Sequence, residues 1–595
     1  NASKEVRMPI LNSTLIIVVS FVPLFSLSGM EGRMLVPLGI AFIVALFAST
    51  VVALTLTPVL CSYLLGSNKT NKELKESFVA RWMKGIYEKA LTWVLAHKRV
   101  TLGSTIVLFL IALGVFFTLG RSFLPSFNEG SFTINISSLP GISLEESNKM
   151  GHRAEELLMT IPEIQTVARK TGRAELDEHA LGVNVSEIEA PFELKDRSRS
   201  ELVADVREKL GTITGANIEI GQPISHRIDA MLSGTKANIA IKLFGDDLNK
   251  MFSLGNEFKG AISDIPGVAE LIVEQIERPQ LKIQPKREML AKFGITLPEF
   301  SEYVNVALAG KVISQVYEQR KSFDLIVKVK DDARDEMEKI RNLMVDTNDG
   351  RKVPLSYVAE VVSAMGPNTI NRENVKRKIV ISANVADRDL RSVVNDIQKR
   401  IDTSVQLPEG YHIEYGGQFE SEQAASRTLA LTSFISIVVI FLLLYNEFRS
   451  VKESGVILLN LPLALIGGVF ALVITTGEVS IPAIIGFISL FGIATRNGML
   501  LISHYNHLQK EEGLNVYDSV IQGSLDRLNP ILMTALSSAL ALIPLALAGD
   551  LPGNEIQSPM AKVILGGLLT STFLNGFIVP IVYLMMHRKK AQKSL

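Results

Sequence analysis

The sequence predicts an α-helical transmembrane bundle into which a large α+β region is inserted, and three observations carry that prediction. Apolar runs long enough to cross a bilayer, which takes roughly 20 residues, lie near 9–28, 35–65, 99–120, 427–446, 452–475, 479–504, 529–549 and 559–586, making eight spans. The charges are gathered into blocks between those runs: the 595 residues are 47% hydrophobic and only 21% charged, as befits a membrane protein with a soluble insert. The third observation is an internal repeat.

Pro9-Ile10-Leu11 returns as Pro530-Ile531-Leu532, and Pro23-Leu24 as Pro544-Leu545 at the same offset. One inserted residue later, Ser49-Thr50 and Pro58 return as Ser571-Thr572 and Pro580. Each copy is a pair of spans, and duplicated apolar helices are a construction habit of secondary transporters. Three further apolar segments lead into the second copy, whereas only eight residues precede the first, and the chain opens on Asn1. The expectation is the C-terminal portion of a longer transporter.

Orientation follows from the basic residues of the short loops. Lys69, Lys72, Lys75, Arg81, Lys84, Lys89, Lys98 and Arg99 outnumber Glu73, Glu76 and Glu88 between the second and third spans, and Arg588, Lys589, Lys590 and Lys593 follow the last. Both segments, 66–98 and 587–595, are therefore expected in the cytoplasm, and eight crossings put residues 121–424 on the opposite face. The first span has no small-residue cleavage site and does not resemble a signal peptide.

Cys61, the only cysteine, ends an apolar span, so the external region has no disulfide and no thiolate metal site. Formal net charge is zero, which gives no ground for nucleic-acid binding. Phe78, Trp82, Ile86, Ala90 and Val94 recur every fourth residue with Lys75, Arg81, Lys84 and Lys89 on other faces. That pattern predicts a helix lying in the membrane interface and in contact with lipid, serving as a connector between spans.

Residues 121–424 alternate helix and strand. Strand 132–139, helix 143–160, strand 164–170, strand 183–194, helix 198–211 and strand 216–223 follow the order of a split β-α-β unit, the ferredoxin-like arrangement. A second such unit is interrupted: strand 237–244, helix 247–264 and strand 268–274 come before an insert, and strand 376–386, helix 388–403 and strand 411–415 after it. The insert, about 280–367, carries its own strand at 323–329 and the turn Asn348-Asp349-Gly350, and is expected to project as an assembly element.

Short motifs now bear on the family. They are Gly29-Met30-Glu31-Gly32, Phe123-Leu124-Pro125 with Asn128-Glu129-Gly130, Leu139-Pro140-Gly141, Lys170-Thr171-Gly172-Arg173-Ala174-Glu175, Arg227-Ile228-Asp229, Gly417-Gln418-Phe419-Glu420 and Pro530-Ile531-Leu532-Met533-Thr534. In this order the chain resembles the second half of a resistance-nodulation-division permease, nearest to its heavy-metal efflux branch. The resemblance implies a proton-driven homotrimer in a Gram-negative inner membrane, joined to a periplasmic adaptor and an outer-membrane channel, with residues 121–424 in the periplasm. It also implies twelve spans in a full chain.

In the sixth span, Ala494-Thr495-Arg496-Asn497 sets a guanidinium among apolar neighbours. An unpaired cation at such a depth costs several kcal/mol, at least about 2.5, so it needs a carboxylate partner. The resemblance supplies one: in related drug pumps a lysine at this position pairs with aspartates of the fourth helix, and a threonine matching Thr534 joins the relay. Arg496, Asn497 and Thr534 are thus expected to form half of a proton-coupling network, against a structural alternative in which Arg496 snorkels or caps carbonyls.

The copper and silver exporters of the branch bind their ion with three methionines, and the matching positions here are Asn135, Val185 and Ala230. Soft thioethers suit monovalent copper; these residues do not. What the chain offers instead is Glu175, Asp177, Glu178 and His179 in a row, then Glu187 and Glu189, with His226 and Asp229 before Met231. Carboxylate and imidazole suit zinc, cobalt or nickel better than copper. The resemblance further matches His179 and Glu187 to acidic positions on the metal path, Arg227 and Lys236 to basic positions near the cleft, and Glu129 to an acidic residue at its entrance. No cofactor beyond the transported cation is implied.

Two other readings stand beside this one. Loss of the methionines leaves room for an organic or hydrophobic substrate, although the cleft segments are rich in carboxylates and aromatics are only 7% of the chain. A non-transporting membrane scaffold or relic is the alternative of another class. An enzyme is disfavoured, since no His-Glu-x-x-His, Gly-x-Ser-x-Gly or phosphate loop occurs.

Overall fold

The computed structural model describes residues 2–65, 77–125, 127–139, 141–172, 182–234, 237–274, 277–367, 370–549 and 551–587. Among these, seven helices are long and apolar enough to cross a membrane: Gly29–Leu64, Lys98–Thr118, Gln418–Phe448, Val451–Thr475, Ile481–Lys510, Val516–Leu547 and Gln557–Met586. The span expected near 9–28 is the shorter apolar helix Ile10–Ser26, whose end tightens into a 3₁₀ turn, Val22–Ser26, at Pro23. Proline lacks the N–H that would continue the α-helix. Its repeat counterpart Pro544 lies inside the continuous helix Val516–Leu547, so the two copies differ locally.

Helix Ile481–Lys510 runs through the bundle, buried along most of its length. Ser480 starts it by accepting a hydrogen bond from the Ala483 N–H. Helices Asn460–Thr475 and Gln557–Met586 pack backbone to backbone: a Cβ on Gly467 would lie 2.0 Å from the Gly566 carbonyl oxygen, and one on Gly566 would lie 2.4 Å from that of Gly467. Small residues at a crossing are how membrane helices gain close packing without a hydrophobic driving force.

The connector is the helix Phe78–Ala96, capped by Ser77. Its stripe divides: Phe78, Trp82 and Ile86 are exposed, whereas Val94 is buried with Leu91 and Leu95 against the bundle. A spacing of four overshoots the 3.6-residue turn by about 40° per step, so the stripe winds roughly halfway round the helix. Tyr87 fixes the contact by donating to the Gly576 carbonyl.

Among the described residues, the α+β region is built on two larger sheets, each in the order strand, helix, strand, strand, helix, strand. The first comprises Ser131–Ser138, Ala168–Thr171, Val185–Pro191 and Ala216–Gly221 with helices Leu144–Leu158 and Arg199–Leu210. The first of these strands in the chain pairs antiparallel with both the third and the fourth, and the second lies outside the third. Phe132, Ile134, Ile136, Ile188 and Ala190 face the helices, because alternate residues of a strand point to opposite sides. Helix starts follow the sequence: Ser198 and Glu201 form a capping box.

The second sheet repeats this order with Ile239–Phe244, Val268–Val273, Lys376–Val385 and His412–Gly417, and helices Leu248–Ile262 and Leu390–Ser404. Between its halves, Glu277–Pro285 pairs with Ala359–Pro367 along a nine-residue ladder. That ladder carries a small α+β unit with its own core around Leu290, Phe300 and Val358, and an exposed hairpin, Lys311–Glu318 with Lys321–Val327.

Candidate substrate cleft

The face of the first sheet opposite its helices is polar. Asn135 stands opposite Glu187 on one neighbouring strand and opposite Glu219 on the other, and directly opposed residues share a face. Lys170 continues the row, opposite Glu187, with its Nζ 2.7 Å from the Glu187 carboxylate. Val185, two residues before Glu187, lies on the same side and is half-buried.

Across this face lies the helix Pro223–Ser233, whose limits the sequence sets. Proline opens it at a position that needs no N–H, and Gly234, with φ of 76°, closes it. The Glu129 carboxylate accepts from the N–H groups of Ile224 at 2.6 Å and Ser225 at 3.2 Å, so a residue expected at the cleft entrance binds the positive end of this helix. His226 is buried, and its Nδ1 lies 3.4 Å from Asn135 Nδ2. The ring fits because residue 221 is glycine: a Cβ there would lie 1.9 Å from His226 Nε2.

Asp229, one turn further, is buried as well. Its Oδ1 accepts from Gln418 Nε2 at 2.7 Å and its Oδ2 from Asn238 Nδ2 at 3.3 Å. Loss of hydration pushes its pKa up to about 7, although both amides favour the charged form. Arg227 is exposed and Ala230 half-buried. The predicted residues Glu175, Asp177, Glu178, His179 and Lys236 lie outside the described residues. Among the described residues, no three His, Cys, Asp or Glu side chains stand together as a cation cage.

Beside the helix is a cavity of about 370 Å³ lined by His226, Asp229 and Gln418, and also by Arg199, Arg207 and Arg388. Arg207 is held by Glu270 and Arg388 by Asp396. Three guanidinium groups make this a poor chamber for a bare cation. The sheet face, where Glu187 and Glu219 flank Asn135, is the better one.

In the membrane, Arg496 is half-buried on helix Ile481–Lys510 and has no carboxylate or hydrogen-bond partner among the described residues. Asn497 is buried, and its Nδ2 is likewise without a partner there. Thr534 donates to the Pro530 carbonyl at 2.9 Å. Ala494 and Ala535 pack in one apolar cluster, which sets Arg496 and Thr534 each within two residues of the same helix contact.

Three residues of the site escaped the sequence reading. Glu219 was legible in the alternation of Asn217, Glu219 and Gly221 with Ile218 and Ile220. The parts of Asn238 and Gln418 were not: Gln418 appeared only within a family motif and meets Asp229 across 189 residues of chain, and Asn238, nine residues from Asp229, meets it only through the fold.

Comparison with known proteins agrees with this architecture. The chain is 35% identical to protein HelA of Legionella pneumophila over its whole length and 57% of that protein. It is 34% identical to the cobalt-zinc-cadmium resistance protein CzcA of Cupriavidus metallidurans, over 99% of the chain and 56% of the relative. It is 30% identical to the cation efflux system protein CusA of Escherichia coli, over 100% and 58%. A crystal structure of a heavy metal efflux pump superposes with a TM-score of 0.86 at 27% identity, covering 98% of this chain and 58% of that one. The chain thus spans a little over half the length of the relatives it matches. The model of the AcrB/AcrD/AcrF family matches residues 1–587, and the chain belongs to that family of resistance-nodulation-division permeases.

Proposed function

We propose that the chain serves a proton-driven inner-membrane permease that exports heavy-metal cations, as a homotrimer joined to a periplasmic adaptor and an outer-membrane channel. In this reading residues 121–424 are periplasmic, 66–98 and 587–595 cytoplasmic. Support comes from relatives named for cobalt, zinc and cadmium resistance and for cation efflux. The observation that carries it is the rung on which Asn135 stands between Glu187 and Glu219 and against the buried His226.

That donor set offers oxygen and nitrogen ligands, the sequence supplies further ones in Glu175, Asp177, Glu178 and His179, and Asn135, Val185 and Ala230 hold no thioether. Zinc, cobalt or nickel fits it better than monovalent copper. Glu129 and Asp229 act by holding the helix that covers the face. In the membrane, Arg496, Asn497 and Thr534 take part in the proton relay, where the cost of an uncompensated cation makes the arginine's state depend on its carboxylate partner.

The test is metal accumulation in a Gram-negative host stripped of its own exporters and expressing the complete reading frame. Lower cell content of zinc, cobalt or nickel is expected, lost in Glu187→Gln at equal protein level. Unchanged content of all three, and of copper, would sink the reading.

A further inference from the structure

The first turn of helix Gln418–Phe448 joins the external region to the membrane bundle, and the metal reading leaves its residues without a part. Gln418 donates to Asp229, as described. Four residues on, Glu422 is buried and pairs with Arg391 of helix Leu390–Ser404. Residues i and i+4 share one face of a helix, so a single face grips the cleft helix and the second sheet's helix together.

The grip is stiff. The Gln418 N–H donates to the Asn238 carbonyl at 3.0 Å, and the Asn238 side chain holds the other oxygen of Asp229 while its own Oδ1 accepts from the Val385 N–H. Gly417 turns the strand into the helix with φ of +85°, and a Cβ there would lie 2.6 Å from the Asn238 carbonyl oxygen. Only glycine takes that conformation without strain. Parting Asp229 from the chain entering the membrane helix would therefore cost its buried carboxyl group the Gln418 hydrogen bond, which is disfavoured.

The other end of the path reaches Arg496. Ala425 and Leu429 pack against Ile485 and Ile488 of helix Ile481–Lys510, and Ile488 lies two turns, about 12 Å, from Arg496 on the same helix. Packed side chains and hydrogen bonds thus link the helix that carries Arg496 to the helix that places His226 against Asn135.

We propose that Gln418 is a positioning residue that passes movement of the membrane helix Gln418–Phe448 to the helix Pro223–Ser233 through Asp229, and so governs how open the cleft face around Asn135 is. The proposal rests on the permease reading above. Gln418 touches no substrate in it; the residue acts through Asp229.

The test uses the protein from its complete reading frame in proteoliposomes, with Cys61→Ser and Met231→Cys, since Met231 is exposed on the cleft helix. Maleimide labelling at position 231 is timed with and without an imposed pH gradient. The expected result is a gradient-dependent change of threefold or more with Gln418 present, lost in Gln418→Ala and in the shorter Gln418→Asn, and kept in Gln418→Lys, which retains a donor. Zinc binding at equilibrium should stay within twofold in all of them, which a collapsed domain would not allow. A gradient response persisting in both Gln418→Ala and Gln418→Asn, or absent from the parent, overturns the proposal. A parent that responds to the gradient yet moves no zinc, cobalt or nickel overturns the metal reading and leaves the coupling standing.

Discussion

Glu129 Oε2 accepts a hydrogen bond from the Ile224 N–H at 2.6 Å, so the carboxylate that the family likeness sets at the cleft entrance also closes the N-terminus of the cleft helix. Charge and hydrogen bonding act together there. Glu129→Ala should lower stability by about 1–2 kcal/mol, read as a shift in thermal unfolding in detergent, and Glu129→Gln by about half as much. Equal stability of all three would show that the cap contributes nothing.

The buried Asp229 makes stability depend on pH with an unusual sign. Its pKa rises from 3.8 to about 7 on folding, so between those values the folded state binds more protons than the unfolded one. Its contribution is fully present below the unfolded value and is lost as pH rises through about 7. Asp229→Asn should flatten the stability profile between pH 4 and 7, measured by unfolding at a series of pH values. An unchanged slope would exclude Asp229 as its source.

Gly221 is required by its neighbour. A methyl group there meets the His226 ring at 1.9 Å, and the ring is boxed in by Asn135. Gly221→Ala is expected to cost about 1–3 kcal/mol, as overpacking does, and to weaken zinc binding with it. Full retention of both would mean that the ring has room to turn away.

At the crossing of helices Asn460–Thr475 and Gln557–Met586 the obstacle is backbone. Gly467→Leu should reduce the yield of folded protein severely, because the Gly566 carbonyl cannot move aside as a side chain could. Size-exclusion of the detergent-solubilised variant is the check, and a monodisperse peak at wild-type yield would contradict it.

Arg496→Ala should abolish proton-coupled transport by at least tenfold while leaving folding intact, since the guanidinium makes no contact that holds the described bundle together. Transport assays paired with thermal unfolding separate the two effects. Undiminished transport would end its place in the relay.

The sequence was most legible where local rules are strict. Apolar runs gave the membrane helices, with Pro23 shortening the one near 9–28 where proline interrupts the backbone ladder. Alternation along 131–138 and 216–221 separated core face from polar face, but the strand expected over 216–223 stops at Gly221 and the cleft helix that Pro223 then opens was not foreseen. The connector helix was less legible, because a four-residue stripe drifts and tertiary packing claimed its end at Val94.

By itself, then, the sequence determined that this is a bundle of apolar helices carrying a large α+β region, with a charged residue at Arg496 inside an apolar run; the carboxylates in place of thioethers were what the family resemblance implied. Those properties follow from residue type and spacing along a few turns of chain. Only the tertiary structure decided that Asn135 meets His226, that Glu129 caps a helix, and that Gln418 holds Asp229. Each of those pairs joins residues far apart in sequence whose neighbourhood is created by strand register and helix docking, and no local pattern encodes such a meeting.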